Sequence, residues 1–439
     1  MAVSMRSVGA ALADVVGAAR VTDHAAALRA AAVDDRVPRW VVRPASAEQV
    51  ATVLALAAEE RLAVIPRGSG AAMDLGAPPA RLDLVLDTKD LVRVLDYQPD
   101  DLTVSVEVGV SAGALATELR PRRQQLPVDP PGWETRTLGG LVATNAHGPL
   151  RARYGTLRDL LLGVRFVQAD GVLTWGGARV VKSVSGYDVP KLMVGALGTL
   201  GVLVELTLRL HPVPDREGTW LATLPSAAAA QSFIGLVLDS TLEPTRLELL
   251  NEPALRACQA PPAPFGVAVS LAGVEAAVRD EADRLQALAR GAGGHLVALD
   301  DGFWPRYDRA LARAEGEVVL QLGVLPSRIA DTLDAITAAH AEVNSGATPR
   351  VAGCAASGSL RLLLPGAGVE DAASVVTRLR AAVGGFDGSV VVQAGPRALR
   401  ATVDPWGAVA PAALELMRRL RDEFDPGRVL NPGRFVGGL

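Results

Sequence analysis

The stretch "VIPRGSGAAMDLGAPP", residues 64–79, places Gly68, Gly70 and Gly76 behind a short apolar run. A glycine-rich stretch leaving a strand brings backbone N–H groups up to an anion, most often a phosphate. Two further small-residue segments, "TLGGLVATNAHG" (137–148) and "GALGTLGV" (195–202), each adjoin strand-like sequence. Glycine loses the most backbone freedom on ordering, so such segments are expensive unless main chain must approach something closely. Three separated close approaches imply a long ligand contacted along its length. A dinucleotide with two phosphates, a ribityl chain and a flat ring meets that demand.

The common nucleotide loops do not fit. A Walker loop needs G-x-x-x-x-G-K-S/T, and "GSGAAMDLG" has no lysine. A dinucleotide fingerprint of the Rossmann kind needs G-x-G-x-x-G opening a helix. Here the spacing is wrong, and Ala77, Pro78 and Pro79 follow, where a helix cannot start cleanly. Two distant cysteines, Cys258 and Cys354, exclude a disulfide framework, a cysteine-built zinc site and an iron–sulfur cluster of the chain's own, which needs about four thiolates. A net charge of −4 leaves no electrostatic footprint for nucleic acid.

The elements that must position these segments divide into four parts. Residues 1–35 read as an Ala-rich helical lead. Asp14 interrupts its apolar run, which argues against a signal peptide, and no stretch reaches the ~20 apolar residues of a spanning helix. A cytoplasmic placement is expected, with any membrane contact through a partner. Residues 36–214 read as an α/β module: a strand in "RVPRWVVRP", and a helix opened by Ser46 and Gln49 with Val50, Val53, Leu54 and Ala57 on one face. Strands "LAVIP", "RLDLVLD", "LVRVLDY" and "LTVSVEVGV" follow, the last two turning at Pro99–Asp101, and Ser111 starts another helix. Residues 215–400 alternate strand-like and helical runs, as an antiparallel sheet with helices on one face would. Residues 401–439 read as a terminal helix and a Pro/Gly-punctuated tail. The fold class expected is α+β.

Four stretches in order, "VIPRGSG", "TLGGLVATNAHGPLRARYGTLRDLLLG", "KSVSGYDVPKLMVGALGTLGV" and "FDPGRVLNPGRF", resemble the FAD-binding oxidoreductases with the vanillyl-alcohol-oxidase/p-cresol-methylhydroxylase (PCMH-type) flavin domain. Within that family the chain is most similar to the FAD-binding subunit of bacterial glycolate oxidase. The resemblance implies a two-subdomain flavin module and a cap domain. It assigns Arg67, Gly68, Ser69, Gly70 and Ala71 to a main-chain cradle for the pyrophosphate, without a helix. Thr137, Leu138, Gly139, Gly140, Ala143, Thr144, Asn145 and Gly148 would follow the ribityl chain and isoalloxazine. Gly186, Gly198, Gly201 and Val202 would flank the pyrophosphate and adenine end, and Asn431 and Arg434 would return to the flavin region.

Two departures from the family pattern bear on the chemistry. Several relatives tether the flavin to a histidine after the glycine loop; here Ala71, Ala72 and Met73 stand there, so non-covalent FAD is expected. Relatives acting on 2-hydroxy acids carry H-A-G-D-G-N-L-H, whose histidines bind a metal. "AGCAASGSLR" puts Cys354 and Arg361 in their places, a pair that cannot rebuild the site, so no metal is expected. His211, His295 and His340 are scattered. Candidates near the flavin are His147 for acid/base work, Arg151, Arg153 and Lys182 for stabilising reduced flavin, and Trp175 and Tyr187 for packing. The expected function is oxidation of a 2-hydroxy acid to a 2-oxo acid by hydride transfer to FAD, a glycolate-dehydrogenase-like activity on CH–OH donors. Electrons would leave through iron–sulfur and second flavin subunits. An electron-relaying, non-catalytic flavin subunit and a stand-alone oxidase of another alcohol remain open as alternatives.

Overall fold

The computed structural model describes residues 5–178, 186–343 and 348–439. Its first part contains two small sheets. In one, strands Trp40–Val42, Leu84–Asp87 and Val64–Arg67 lie parallel, with Val21–Thr22 added antiparallel at the edge. Ser46 caps the helix Ala47–Glu59 by accepting from Gln49 N at 3.3 Å. Val50, Val53, Leu54 and Ala57 are buried on its inner face, as their spacing requires. The second sheet is antiparallel, in the order Val94–Gln98, Thr103–Glu107, Val202–Arg209, Leu161–Val167 and Leu173–Gly177. One continuous core joins the two sheets, with Phe166 fully buried in it.

The cap is an eight-stranded antiparallel sheet. Its spatial order is His295–Ala298, Arg216–Leu224, Phe265–Gly273, Arg246–Asn251, Arg350–Cys354, Ser359–Leu364, Val318–Gly323 and Ser389–Ala394. Side chains alternate across such a sheet. Leu247, Leu249, Leu320, Leu322, Leu360 and Leu362 therefore meet the helices Ala227–Leu238, Glu275–Gly291, Ile329–Ala341 and Val369–Gly384. Helices were expected on one face, but two more, Glu252–Ala257 and Phe303–Leu311, pack on part of the other. At six and nine residues, with Pro253 and Pro305 near their starts, they are shorter than the windows over which a period is read, although Phe303, Tyr307, Ala310 and Leu311 line one face of the second. The rest of that second face looks toward the first module.

Polar contacts hold the cap to that module. Arg246 Nε pairs with Asp129 at 3.2 Å, Gly132 N donates to Asp308 at 2.8 Å, and Arg400 pairs with Asp34 while donating to Gly76 O at 3.0 Å. Among the described residues no helix is long and apolar enough to cross a membrane.

Candidate functional site

The strand Val64–Arg67 delivers the glycine loop, and the Arg67 guanidinium is held by buried Asp87 at 3.0 Å. The chain then runs through turns, not a helix, as Pro78 and Pro79 dictate. The N–H groups of Ser69, Gly70, Ala71 and Ala72 have no acceptor among the described residues. Four unpaired main-chain donors on one loop are a set that can hold an anion. Gly68 lies against the second small-residue segment: a Cβ on it would stand 2.1 Å from Thr137 Oγ1, a buried hydroxyl that itself has no partner.

The second segment is helical at its start. Leu138–Ala143 is a short helix, docked by Leu138 N and Gly139 N on Val110 O and Val108 O, both at 2.9 Å. Its third residue, Gly140, faces open space, with only Thr137 Oγ1 at 3.2 Å from a built Cβ. The loop, Gly140, Ala143, Thr144 and Gly198 enclose a chamber of about 80 Å³.

The C-terminal tail closes this chamber. Buried Arg421 and Asp425 pair at 2.9 Å, and the Asp425 carboxylate accepts from Val429 N and Leu430 N. This steers the tail alongside the strand edge, where Val64 N donates to Val429 O and Asn431 N donates to Val64 O. Arg434 donates to Met73 O and Leu75 O at 2.5 and 2.9 Å, while its Nε stays unpaired. Burial and the Arg400 charge push its pKa down to about 10. A buried guanidinium with an unused N–H beside four free backbone donors fits a pyrophosphate.

A second chamber of about 160 Å³ opens from the first, sharing Ala71, Ala72, Arg136 and Thr144. Its floor is the cap sheet. Cross-strand register puts Glu248 opposite Cys354, and Arg361 opposite both Ala352 and Gln321, all on one face. Arg361 donates to Gln393 Oε1 at 2.8 Å, and its Nε has no partner. Burial pushes its pKa down to about 10, with Arg136 adding repulsion. Tyr307, on the Phe303–Leu311 helix, donates a short hydrogen bond to Glu248, whose other oxygen is unpaired. Burial raises the Glu248 carboxyl to about 8.

His147 lines this chamber, with its Nδ1 3.0 Å from Asn145 O. A carbonyl can only accept, so Nδ1 carries the proton and Nε2 accepts from Ser359 at 3.1 Å. Ser359 in turn accepts from Gln321 at 2.9 Å. Burial, then the Arg151 charge, lowers the imidazole pKa to about 4. His147 is therefore a neutral, fully engaged ring and not a free base.

The structure brings together eleven of the predicted cofactor residues around the first chamber: Arg67 through Ala71, Gly140, Ala143, Thr144, Gly198, Asn431 and Arg434. Gly148 lines the second. Other predicted positions serve packing. Leu138 and Val202 are core, and a Cβ on Gly139 or Gly201 would strike Val108 or Phe166. Asn145 supplies its carbonyl to His147 from a left-handed conformation, φ 46°. Gly186 is exposed and lines neither chamber. Arg153 turns outward to Glu243 at 2.5 Å, and Arg151 lines neither chamber but acts on His147 through its charge. Lys182 lies outside the described residues. Trp175 and Tyr187 are exposed; His211 stacks edge-on against Tyr154, and His295 and His340 sit on the cap away from both chambers. Sequence reasoning missed Glu248, Tyr307, Gln321 and Gln393, which come from the cap sheet and a short helix, and Arg136, which follows the turn Trp133–Thr135. Among the described residues no three His, Cys, Asp or Glu side chains are grouped to hold a metal.

Comparison with known proteins agrees with this geometry. Residues 38–177 match the FAD binding domain family, and 407–435 match the C-terminal domain of FAD linked oxidases. The glycolate oxidase subunit GlcD of Bacillus subtilis is 31% identical over 219 residues, 50% of this chain and 47% of that protein, so that match spans about half of each. D-2-hydroxyglutarate dehydrogenase of Xanthomonas citri pv. viticola is 29% identical over 91% of this chain and 89% of its own length. Among solved structures, alkyldihydroxyacetonephosphate synthase superposes with a TM-score of 0.77 at 17% identity, covering 98% of this chain and 85% of that one. Substrate-bound p-cresol methylhydroxylase gives 0.76 at 13%, covering 98% and 96%. With a glycine-rich loop, a returning tail and a sheet-floored second chamber, the chain carries an FAD binding domain over residues 38–177 and shares the fold of the PCMH-type flavoproteins.

Proposed function

We propose that the protein oxidises a small 2-hydroxy acid to the 2-oxo acid, using FAD bound without a covalent tether. The observation that carries this reading is the open junction between the anion cradle and the Arg361–Glu248 chamber, so that bound cofactor and a small acid would meet across Thr144 and Arg136. Bound FAD supplies the hydride acceptor. The chain supplies the rest. Residues 69–72 and Arg434 hold the phosphates, Arg136 brings a positive charge to the junction of the chambers, and the cap excludes water from the sheet floor. The relatives named for glycolate, D-lactate and D-2-hydroxyglutarate support the substrate class. On this reading residues 36–214 with 401–439 carry the flavin and 215–400 form the cap. With two cysteines in the chain, electrons would pass to iron–sulfur and second flavin subunits, in a cytoplasmic assembly.

The replacement of the family's histidine pair by Cys354 and Arg361 favours a second reading, in which the chain relays electrons for a catalytic partner. Anaerobic addition of glycolate or D-lactate to the purified protein separates the two. Bleaching of the yellow flavin supports oxidation by this chain; an unchanged spectrum with both acids supports the relay.

A further inference from the structure

We infer that the second chamber holds a 2-hydroxy acid at two points of one sheet face, its carboxylate on Arg361 and its hydroxyl at the Glu248–Tyr307 pair. This rests on the functional reading above and adds the substrate's orientation and the residue that takes its proton.

Register supplies the geometry. Glu248 and Arg361 lie two strands apart and two residues out of register, about 12 Å between their Cα atoms at the usual strand spacing and rise. The residues on the same face between them are Ala352 and Cys354, both small. Two long side chains thus rise on either side of a low floor, leaving room for a two- or three-carbon acid. The strand pairing also holds both anchors on a rigid element and not on loops.

The charges are unequal. Arg361 has a neutral partner, Gln393, and an unpaired buried Nε. The acids nearby are already committed: Glu317 to Arg350 at 2.6 Å, Asp129 to Arg246, and Asp74 to Arg313. A buried guanidinium without an anion is costly unless a ligand provides one, and a carboxylate matches its planar fork. Arg136, which borders both chambers, remains for the cofactor side.

Glu248 is the chamber's other unsatisfied group. One oxygen accepts from Tyr307 and the other is buried without a partner. Burial and the Asp129 charge hold its proton on, while Tyr307, Arg151 and Arg246 pull the other way; Cys354 opposite it is a thiol whose own pKa is raised to about 11. Bound FAD would supply the acceptor for the electron pair of the C2–H bond, which would leave as hydride. The O–H electron pair becomes the second C–O bond, and the proton passes to the Glu248 carboxylate. The ionised form grows as pH rises through about 8, so the rate of this step rises there.

The test uses the full chain with FAD and, as binding probe, pyruvate, a 2-oxo acid with no C2 hydride to give. Calorimetry on Arg361→Gln is expected to show pyruvate binding weakened about 10- to 100-fold, the loss of one charged hydrogen-bonding partner. Arg361→Lys, which keeps the charge and loses the fork, should fall between that variant and the parent, and it decides the matter if the glutamine variant does not fold. Glu248→Gln should bind pyruvate within a few-fold of the parent yet reduce its flavin with glycolate about 100-fold more slowly, without the rise near pH 8. Pyruvate binding unchanged in both Arg361 variants, or a pH rise retained in Glu248→Gln, overturns the inference. If glycolate and D-lactate leave the parent's flavin oxidised while pyruvate binding still depends on Arg361, the oxidase reading falls and the carboxylate anchor stands.

Discussion

Asn431 Nδ2 donates to Leu197 O at 2.6 Å, joining the C-terminal tail to the third small-residue segment across 234 positions of chain. The same side chain accepts from Arg434 at 3.2 Å, so one buried amide sets both the far wall of the first chamber and the guanidinium that points into it. Asn431→Ala leaves a buried carbonyl and a buried guanidinium each short of a partner, at about 1–3 kcal/mol. The variant should melt earlier and bind FAD roughly 10-fold or more weakly, as read by fluorescence titration of the apoprotein. Unchanged FAD affinity would detach the tail from the cofactor site.

Gly140 is a position where a side chain would occupy the chamber with little else to displace but the Thr137 hydroxyl. A Cβ there meets only Thr137 Oγ1 at 3.2 Å, and Gly384 on the cap, with nothing within 4 Å, is its control. Gly140→Val should purify folded and largely without flavin, whereas Gly384→Val should stay yellow. Equal flavin content in the two would mean that this segment is structural.

The flavin should be released by acid. Ala71, Ala72 and Met73 follow the glycine loop, and His147, the histidine of the second chamber, has both ring nitrogens engaged. Precipitation with acid is expected to leave FAD in the supernatant; colour retained in the pellet contradicts a non-covalent site.

Chelation should leave flavin content and flavin reduction unchanged. Arg361 and Gln393 pair at 2.8 Å in the second chamber, and a guanidinium repels a divalent cation. Stoichiometric zinc, manganese or iron in the purified protein would count against the arrangement.

His147 should make the protein acid-sensitive. Its folded pKa of about 4 lies below the ordinary 6.5, so the unfolded chain binds the extra proton first. Stability is therefore lost as pH falls from about 6.5 toward 4, by up to roughly 3 kcal/mol. His147→Gln, which keeps hydrogen-bonding groups but cannot titrate, should show a flatter melting temperature across that window. Parallel curves for the two proteins would remove His147 as the cause.

Much of the flavin module was legible in the sequence because its signals are local. The Ser46 cap, the 3.6-residue spacing of Val50, Val53, Leu54 and Ala57, and the turn at Pro99–Asp101 each depend on a few consecutive residues. The glycine loop was legible for the same reason: backbone without Cβ is visible as composition, and Pro78 and Pro79 deny it a helix. What composition does not reveal is which way a glycine faces. Gly139 and Gly140 are neighbours in a helix, yet one packs on Val108 and the other opens on the chamber, since a helix turns about 100° per residue. The second chamber lay further out of reach. Glu248, Cys354, Ala352, Arg361 and Gln321 come from four strands, and they share a face through register alone. Tyr307 arrives on a nine-residue helix, with Pro305 near its start, that is shorter than the window over which a helical period is read. Local chemistry determined where main chain could meet a dinucleotide. Pairing between strands, some as distant in sequence as those of Glu248 and Cys354, decided which side chains stand beside it.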